Sequence, residues 1–413
     1  MFTEKQIKMI QHAYQSVPFY MDLCRSRGID HEMFKNWTDI PIISKENLVL
    51  QNDSFISAEY LAPYLQGKLL HAHTSGSTGQ CANIFWNLAD CKRSLLPLWM
   101  KRKQYYNINP HDRYCYFFTG RNVGGADIET EDRGFAFGFC KSNLDDKKLA
   151  DIWEMMRDFK PIWMHLQPSM AILLSRVIEK YQLDQIPTLR YVETTGELLF
   201  PHMRQYIEKM MQVIIADQYG CNELNSLAFE CPEGHLHCME KNVVIEILDE
   251  SGQPVPYGQE GEICVTTLTN HAMPLIRYQI GDRGRFLQKV CSCGDSGKIL
   301  ELTTGRSNDW VVDKDGNLLN AYIFVRCVEN VNKLEEHAIL QFQIVQHDID
   351  NFTINLVLDE DCNPDEICSC FLDNLWQGSL SSAKFRIQLY PQLLPEERSG
   401  KLRWFISELN VDV

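Results

Sequence analysis

The feature that most restricts the fold is an alternation. Over roughly the first 300 residues, helix-period segments trade places with short apolar runs, which is how parallel or mixed sheets covered by helices are built. Residues 147–159 (KKLADIWEMMRDF) and 168–181 (PSMAILLSRVIEKY) carry apolar side chains at helical spacing, whereas 161–166 (PIWMHL) and 190–195 (RYVETT) read as buried strands. Further on, 242–249 and 262–268 read as strands joined through the turn-rich 251–261, a smaller β-rich subdomain. After roughly Gly305 the texture changes: residues 310–320 (WVVDKDGNLLN) predict a hairpin with Asp315-Gly316 at its turn, then a helix, two strands, a helix and a strand. The expected fold is α/β. A large N-terminal domain, 1–304, has mixed sheets covered by helices and a β-rich subdomain at about 225–304. A small, mobile α+β domain, 305–413, follows.

Length and composition are consistent with this and exclude some functions. A chain of 413 residues exceeds one ordinary core, and its 45% hydrophobic content supports a sizeable one. No stretch approaches the roughly 20 apolar residues of a membrane helix. The opening MFTEKQIKMIQHAY lacks the apolar run of a secretion signal. Fifteen cysteines scattered through a chain without such a signal read as reduced thiols, so the expectation is a cytoplasmic protein. The net charge of -15 disfavours nucleic acid and anionic membranes as general partners, and an anionic ligand needs a local positive site.

One such site is the run His73-Thr74-Ser75-Gly76-Ser77-Thr78-Gly79-Gln80, which precedes the strand-like residues 83–86. Its two glycines allow close backbone approach, and its side-chain hydroxyls at Thr74, Ser75, Ser77 and Thr78, with the exposed amides, suit phosphate oxygens. No Gly-Lys-Ser/Thr follows, so it is not an ordinary P-loop. Taken alone, the segment also reads as a Ser/Gly surface turn.

Together with five further stretches in order, this loop resembles the adenylate-forming superfamily, most closely its phenylacetate-CoA-ligase-like branch. The loop is similar to that superfamily's Thr-Ser-Gly-Ser/Thr-Thr-Gly signature. Residues 193–197 (ETTGE) resemble the adenine-side loop, and 217–223 (DQYGCNE) the Tyr-Gly-x-Thr-Glu motif, with Asn222 in place of Thr. Residues 261–269 running on to 273–282 (MPLIRYQIGD) are very similar to the branch signature, and 304–309 (TGRSND) resemble the hinge, with Asn308 where Asp or Lys is common. Finally, 398–402 (RSGKL) is similar to the Ser-Gly-Lys segment near the C-terminus. The lysine that often follows the glycine-rich loop is absent, since Gln80-Cys81-Ala82 stands there.

The resemblance implies ATP-dependent activation of a carboxylic acid to an acyl-AMP with release of pyrophosphate, then acyl transfer to a thiol, foremost coenzyme A. A carrier-protein thiol or an amine is the alternative acceptor, and a nucleotide-binding, zinc-stabilised module without turnover is a reading of another class. Glu223 would hold Mg²⁺ through its oxygens. Asp282 would accept from the ribose hydroxyls and Arg306 would reinforce that region. Tyr219 would lie against adenine, with Gly196, Glu197, Asp217 and Gly220 completing the nucleotide site alongside Thr74 to Gly79. Lys401 would bridge the attacking carboxylate and the α-phosphate when the C-terminal domain closes, with the turn at Gly305 to Asp309 as its pivot.

A second cluster, Cys231-Pro232-Glu233-Gly234-His235-Leu236-His237-Cys238 with Cys291-Ser292-Cys293-Gly294, offers soft ligands for a tetrahedral Zn²⁺. Sequences of the branch resemble this in the same places. The expected set is Cys231, His237, Cys291 and Cys293, with His235 or Cys238 as substitutes, and four protein ligands imply a structural ion. Residues 114–121 (YCYFFTGR) match part of the branch's acid wall and equally suit a core strand; their aromatics favour an aryl or other apolar acid.

Overall fold

Amphipathic spacing and caps determine the helices. In Asp146–Phe159, Leu149, Ile152, Trp153 and Met156 are buried on one face. Asp145 accepts a hydrogen bond from the Lys148 amide at its start, and Lys160 closes it in the left-handed conformation. Pro168–Tyr181 and Pro201–Met211 each begin with a proline, whose missing amide donor costs nothing in a first turn. The structure, a computed structural model, describes residues 2–73, 82–118, 128–141, 144–304, 310–314, 318–335, 338–376, 380, 383–395 and 402–409. It divides into two compact units, Met1–Asn109 with Gln218–Ser307, and Pro110–Asp217 with Asn308–Val413.

In the second unit the strands Tyr191–Thr195, Trp163–Leu166, Tyr114–Phe118 and Ala136–Cys140 lie parallel in that order, with Thr130–Asp132 antiparallel at the edge. This is the parallel sheet expected from the alternation, and the strands at 163–166 and 191–195 fall where the apolar runs placed them. The hairpin of Trp310–Val312 with Leu318–Asn320 also forms as expected; its turn residues, Asp315 and Gly316, lie outside the described residues. Helix Tyr322–Leu334, strands Ile339–Gln346 and Asn351–Leu358, helix Pro364–Trp376 and strand Lys384–Leu389 follow in the expected sequence. A last strand, Phe405–Ser407, was not foreseen; it pairs parallel with Ile344–Gln346 and is too short to show a period of its own. Residues of 115–215 and 311–405 share one core, including Trp153, Met170, Phe324 and Phe342.

The first unit opens with helices Glu4–Ser16 and Pro18–Arg27 and holds the long helix Leu88–Tyr106. Strands Leu70–His73 and Asn83–Trp86 pair antiparallel and flank the glycine-rich loop, which itself lies outside the described residues. The expected β-rich part is an antiparallel run ordered Val243–Leu248, Gly261–Thr267, Tyr278–Leu287, Ile299–Thr304, Leu236–Cys238 and Asn225–Glu230, then the end of strand Ile214–Cys221. No helix among the described residues is long and apolar enough to cross a membrane.

Candidate active site and metal centre

The motif at 217–223 occupies the end of strand Ile214–Cys221 and the turn after it. Gly220 is required there, because a Cβ would lie 2.4 Å from the carbonyl oxygen of Asn225. The turn is closed by the Leu224 amide donating to the Cys221 carbonyl at 3.2 Å, and Trp86, on the strand after the glycine-rich loop, donates its indole N–H to the Asn222 carbonyl at 3.3 Å. Tyr219 donates its hydroxyl to Asp282 Oδ2 at 2.7 Å. Burial first, then the Asp282 charge and this hydrogen bond, push the Tyr219 phenol well up, so it remains a donor at neutral pH. One oxygen of Asp282 is thereby oriented by a fixed hydroxyl.

Glu223, 8% exposed, accepts from the Tyr278 hydroxyl at 3.4 Å. Tyr278 belongs to the branch signature on strand Tyr278–Leu287, as Asp282 does, so that single strand carries Asp282 and the partner of Glu223. Tyr278 and Trp86 were not picked out in the sequence, where only a known strand register would have shown their reach.

In the second unit, Thr194 donates to Asp217 Oδ1 at 3.0 Å, joining the loop at 193–197 to the motif that follows. Gly196 turns the chain at φ 84°. Glu197 receives the Ser169 amide at 3.0 Å, the Ser169 hydroxyl at 2.9 Å and the Leu402 amide at 2.7 Å. Burial raises its pKa and these three donors, with Lys141, oppose the rise. Ser169 was another residue the sequence did not single out. On the expected acid wall, Tyr114 stacks on Trp163 at 4.6 Å and Tyr116 donates to Glu131 at 2.6 Å. Thr74 to Gly79, Arg121, Arg306 and Lys401 lie outside the described residues.

The metal expectation falls on described residues throughout. The ligand atoms of Cys231, His237, Cys291 and Cys293 all lie within 4.8 Å of one another. Cys231 Sγ is 3.6 Å from Cys291 Sγ, and Cys293 Sγ is 3.3 Å from His237 Nε2. Tetrahedral zinc with its usual bond lengths separates such ligand atoms by roughly 3.5–3.8 Å, so three sulfurs and an imidazole here fit that ion. His235 stands beside the quartet, its Nδ1 3.3 Å from Cys291 Sγ and its Nε2 2.9 Å from Lys289. Cys238 is outside it, buried, with its thiol pushed up to about 12 by that burial.

A carboxylate supports the cluster from behind. Asp295 accepts from Lys101, from the Tyr105 hydroxyl at 2.6 Å and from the Gly297 amide at 2.8 Å, and lies 3.7 Å from His237 Nδ1. Against the upward push of burial, the Lys101 and Tyr105 bonds hold its carboxyl well below the usual range. Its own amide donates to Cys293 Sγ at 3.4 Å. Asp295, Lys101 and Tyr105 were missed in the sequence, although Asp295 sits two residues beyond a proposed ligand.

Comparison with known proteins gives two family matches: an AMP-binding enzyme model over residues 70–270 and the CapK C-terminal domain over 311–408. The chain is similar to a phenylacetate-coenzyme A ligase of Thermus thermophilus, 25% identical over 331 residues that cover 76% of this chain and 72% of that one. It is also similar to Protein CapK of Staphylococcus aureus, 22% identical over 406 residues, 95% of this chain and 85% of the other. Among solved structures, 2-hydroxyisobutyryl-CoA ligase with its acyl-adenylate matches with a TM-score of 0.77 at 18% identity, over 97% of this chain and 87% of that chain.

Proposed function

Because this chain belongs to the adenylate-forming superfamily, in its phenylacetate-CoA-ligase-like branch, we propose that it activates a carboxylic acid with ATP and transfers the acyl group to the thiol of coenzyme A. The observation that carries this reading is the pair of carboxylates, Asp282 and Glu223, each given one tyrosine hydroxyl by Tyr219 and Tyr278. Adenylation needs one carboxylate to hold ribose hydroxyls and another to hold a hard cation near the phosphates, and two separately oriented groups on neighbouring motifs supply both.

In this reading the acid attacks the α-phosphorus of ATP and pyrophosphate leaves. Asp282 orients the ribose and Arg306 reinforces the ribose and phosphate region; Tyr219, Gly196, Asp217 and Gly220 line the base; the amides and hydroxyls of Thr74 to Gly79 bind phosphate oxygens. Mg²⁺ at Glu223 would supply neutralisation of the phosphate charge. Lys401, brought by a C-terminal domain that moves about 305–309, bridges the incoming carboxylate and the α-phosphate and stabilises the charge that builds there. Zn²⁺ held by Cys231, His237, Cys291 and Cys293 would be structural, since four protein ligands leave no open position. An aryl or other apolar acid suits the aromatic wall around Tyr114 and Tyr116, and reduced thiols suit action in the cytoplasm.

The test is acid-dependent exchange of labelled pyrophosphate into ATP, run over a panel that includes phenylacetate, benzoate and 2-hydroxyisobutyrate. Exchange with one or more acids, followed by thioester formation when coenzyme A is added, is the expected result. Exchange without thioester, but with product on a carrier protein or an amine, would move the acceptor. Tight ATP binding with no exchange across a broad panel would leave only the binding-module reading.

A further inference from the structure

Three donors on one carboxylate are more than a loop turn requires, and one of them comes from 205 residues away along the chain. Glu197 stands against the start of helix Pro168–Tyr181, where Ser169 donates to it through both amide and hydroxyl. A helix N-terminus favours an anion, and charge-assisted hydrogen bonds to such an anion are the strong ones. The third donor, the amide of Leu402 at 2.7 Å, therefore binds to a pre-oriented acceptor.

What that amide belongs to decides the meaning of the contact. The N–H of residue 402 is part of the planar peptide unit that joins it to residue 401, so fixing the N–H fixes the orientation of that unit. Residue 401 is the lysine of the RSGKL segment. On its other side the tail is secured independently. Gln343 donates to the Arg403 carbonyl at 2.9 Å, the Ile344 amide donates to the Trp404 carbonyl at 2.8 Å, and Phe405–Ser407 pairs with Ile344–Gln346. The Trp404 and Phe342 rings lie 6.0 Å apart, and Phe342 in turn meets Phe200, three residues beyond Glu197. The sheet edge thus sets where residues 403–407 run, and Glu197 holds the amide that precedes them.

We propose that Glu197 is a positioning residue for Lys401: by accepting the Leu402 amide it orients the lysine for the adenylation step, instead of binding nucleotide itself. This rests on the catalytic reading of Lys401. Glu197→Ala and the isosteric Glu197→Gln in the full-length protein separate the possibilities, assayed by pyrophosphate exchange with whichever panel acid the wild type uses. A misplacement of about 1 Å can cost on the order of 10² in rate, so Glu197→Ala should lower kcat of exchange by about 10- to 100-fold. The KM for ATP should stay within about twofold, and Glu197→Gln, which keeps an acceptor oxygen, should lose less. In a Lys401→Ala background, Glu197→Ala should cost no further factor, because its effect passes through the lysine.

Amide hydrogen exchange supplies a readout free of substrate. Glu197→Ala should speed exchange in a peptide covering 402–409 and leave one covering 351–358 unchanged. A raised ATP KM at constant kcat would make Glu197 a nucleotide ligand and overturn the proposal, as would an equal loss with and without Lys401. Unchanged protection at 402–409 would also overturn it, even if the wild type adenylates nothing. Absence of exchange activity in the wild type with every acid would instead sink the adenylation reading.

Discussion

Arg277 is a buried tie point of the first unit. It is 2% exposed, adopts φ 49°, and makes two 3.1 Å bonds to the two oxygens of Glu246, itself 8% exposed. The same guanidinium donates to the carbonyls of Ile40 at 2.8 Å and Gly252 at 3.1 Å, tying the N-terminal segment and the turn after Val243–Leu248 to one point. Replacing Arg277 with methionine keeps apolar bulk but leaves a buried carboxylate uncompensated. Removing one partner of a buried pair costs about 3–5 kcal/mol. At about 2–4 °C per kcal/mol for a body of some 200 residues, Tm falls by about 6–20 °C. Burial raises the Glu246 pKa and Arg277 opposes the rise. Without Arg277 the carboxyl rises further, the folded state binds more protons than the unfolded one, and stability falls as pH increases through the unfolded carboxylate value. The deficit of Arg277→Met should therefore be largest near pH 8 and shrink toward pH 5. Adding Glu246→Leu should recover most of it, leaving the part due to the two orphaned carbonyls. Urea melts of wild type and both variants at four pH values measure this. A deficit under about 1 kcal/mol, or one that grows on acidification, would refute the argument, since an orphaned buried carboxylate cannot behave that way.

Four further outcomes are expected. Lys401→Ala should lose on the order of 10² to 10³ in the rate of pyrophosphate exchange, as when a key charge-stabilising donor is removed. Tyr219→Phe takes away the hydroxyl that orients Asp282, and one hydrogen bond of ordinary strength predicts about a 2- to 10-fold rise in the KM for ATP, measured by the same assay. Purified protein should carry one equivalent of zinc by elemental analysis, and Cys293→Ser should abolish it. Asp295→Asn should retain zinc but release it to a chelator about 10- to 100-fold faster, because the carboxylate behind His237 is weakened.

Much of the architecture was legible because its signals are local. Leu149, Ile152, Trp153 and Met156 form a helical stripe within eight residues, and the buried runs at 163–166 and 191–195 are complete in themselves. What stayed hidden depends on pairing between distant segments. Phe405–Ser407 is a strand only because Ile344–Gln346 offers it an edge. Tyr278 reaches Glu223 across 55 positions, and Lys101 reaches Asp295 across 194. No window of sequence contains either pair.

The metal quartet lies between these cases and shows what register adds. The spacing of cysteines and histidines pointed to four ligands but left His235, His237 and Cys238 interchangeable. Strand Leu236–Cys238 separates them: it pairs with Ile299–Leu300 on one side and Ala228–Glu230 on the other, and alternate side chains of a strand face opposite ways. With His237 directed at Cys293, the next residue, Cys238, must face away, and it is found buried. His235 precedes the strand and meets Cys291 from the side. The period of two residues thus separates Cys238 from His237, and the start of the strand separates His235 from it; chemistry would not, since an imidazole at 235 and a thiol at 238 are equally good zinc ligands. The same alternation does not settle the carboxylates, because strand Tyr278–Leu287 shifts register against Gly261–Thr267 between Gln279 and Arg283, with Gly281 at φ 84°, so the direction of Asp282 relative to Tyr278 is set by that irregularity and not by the period of two.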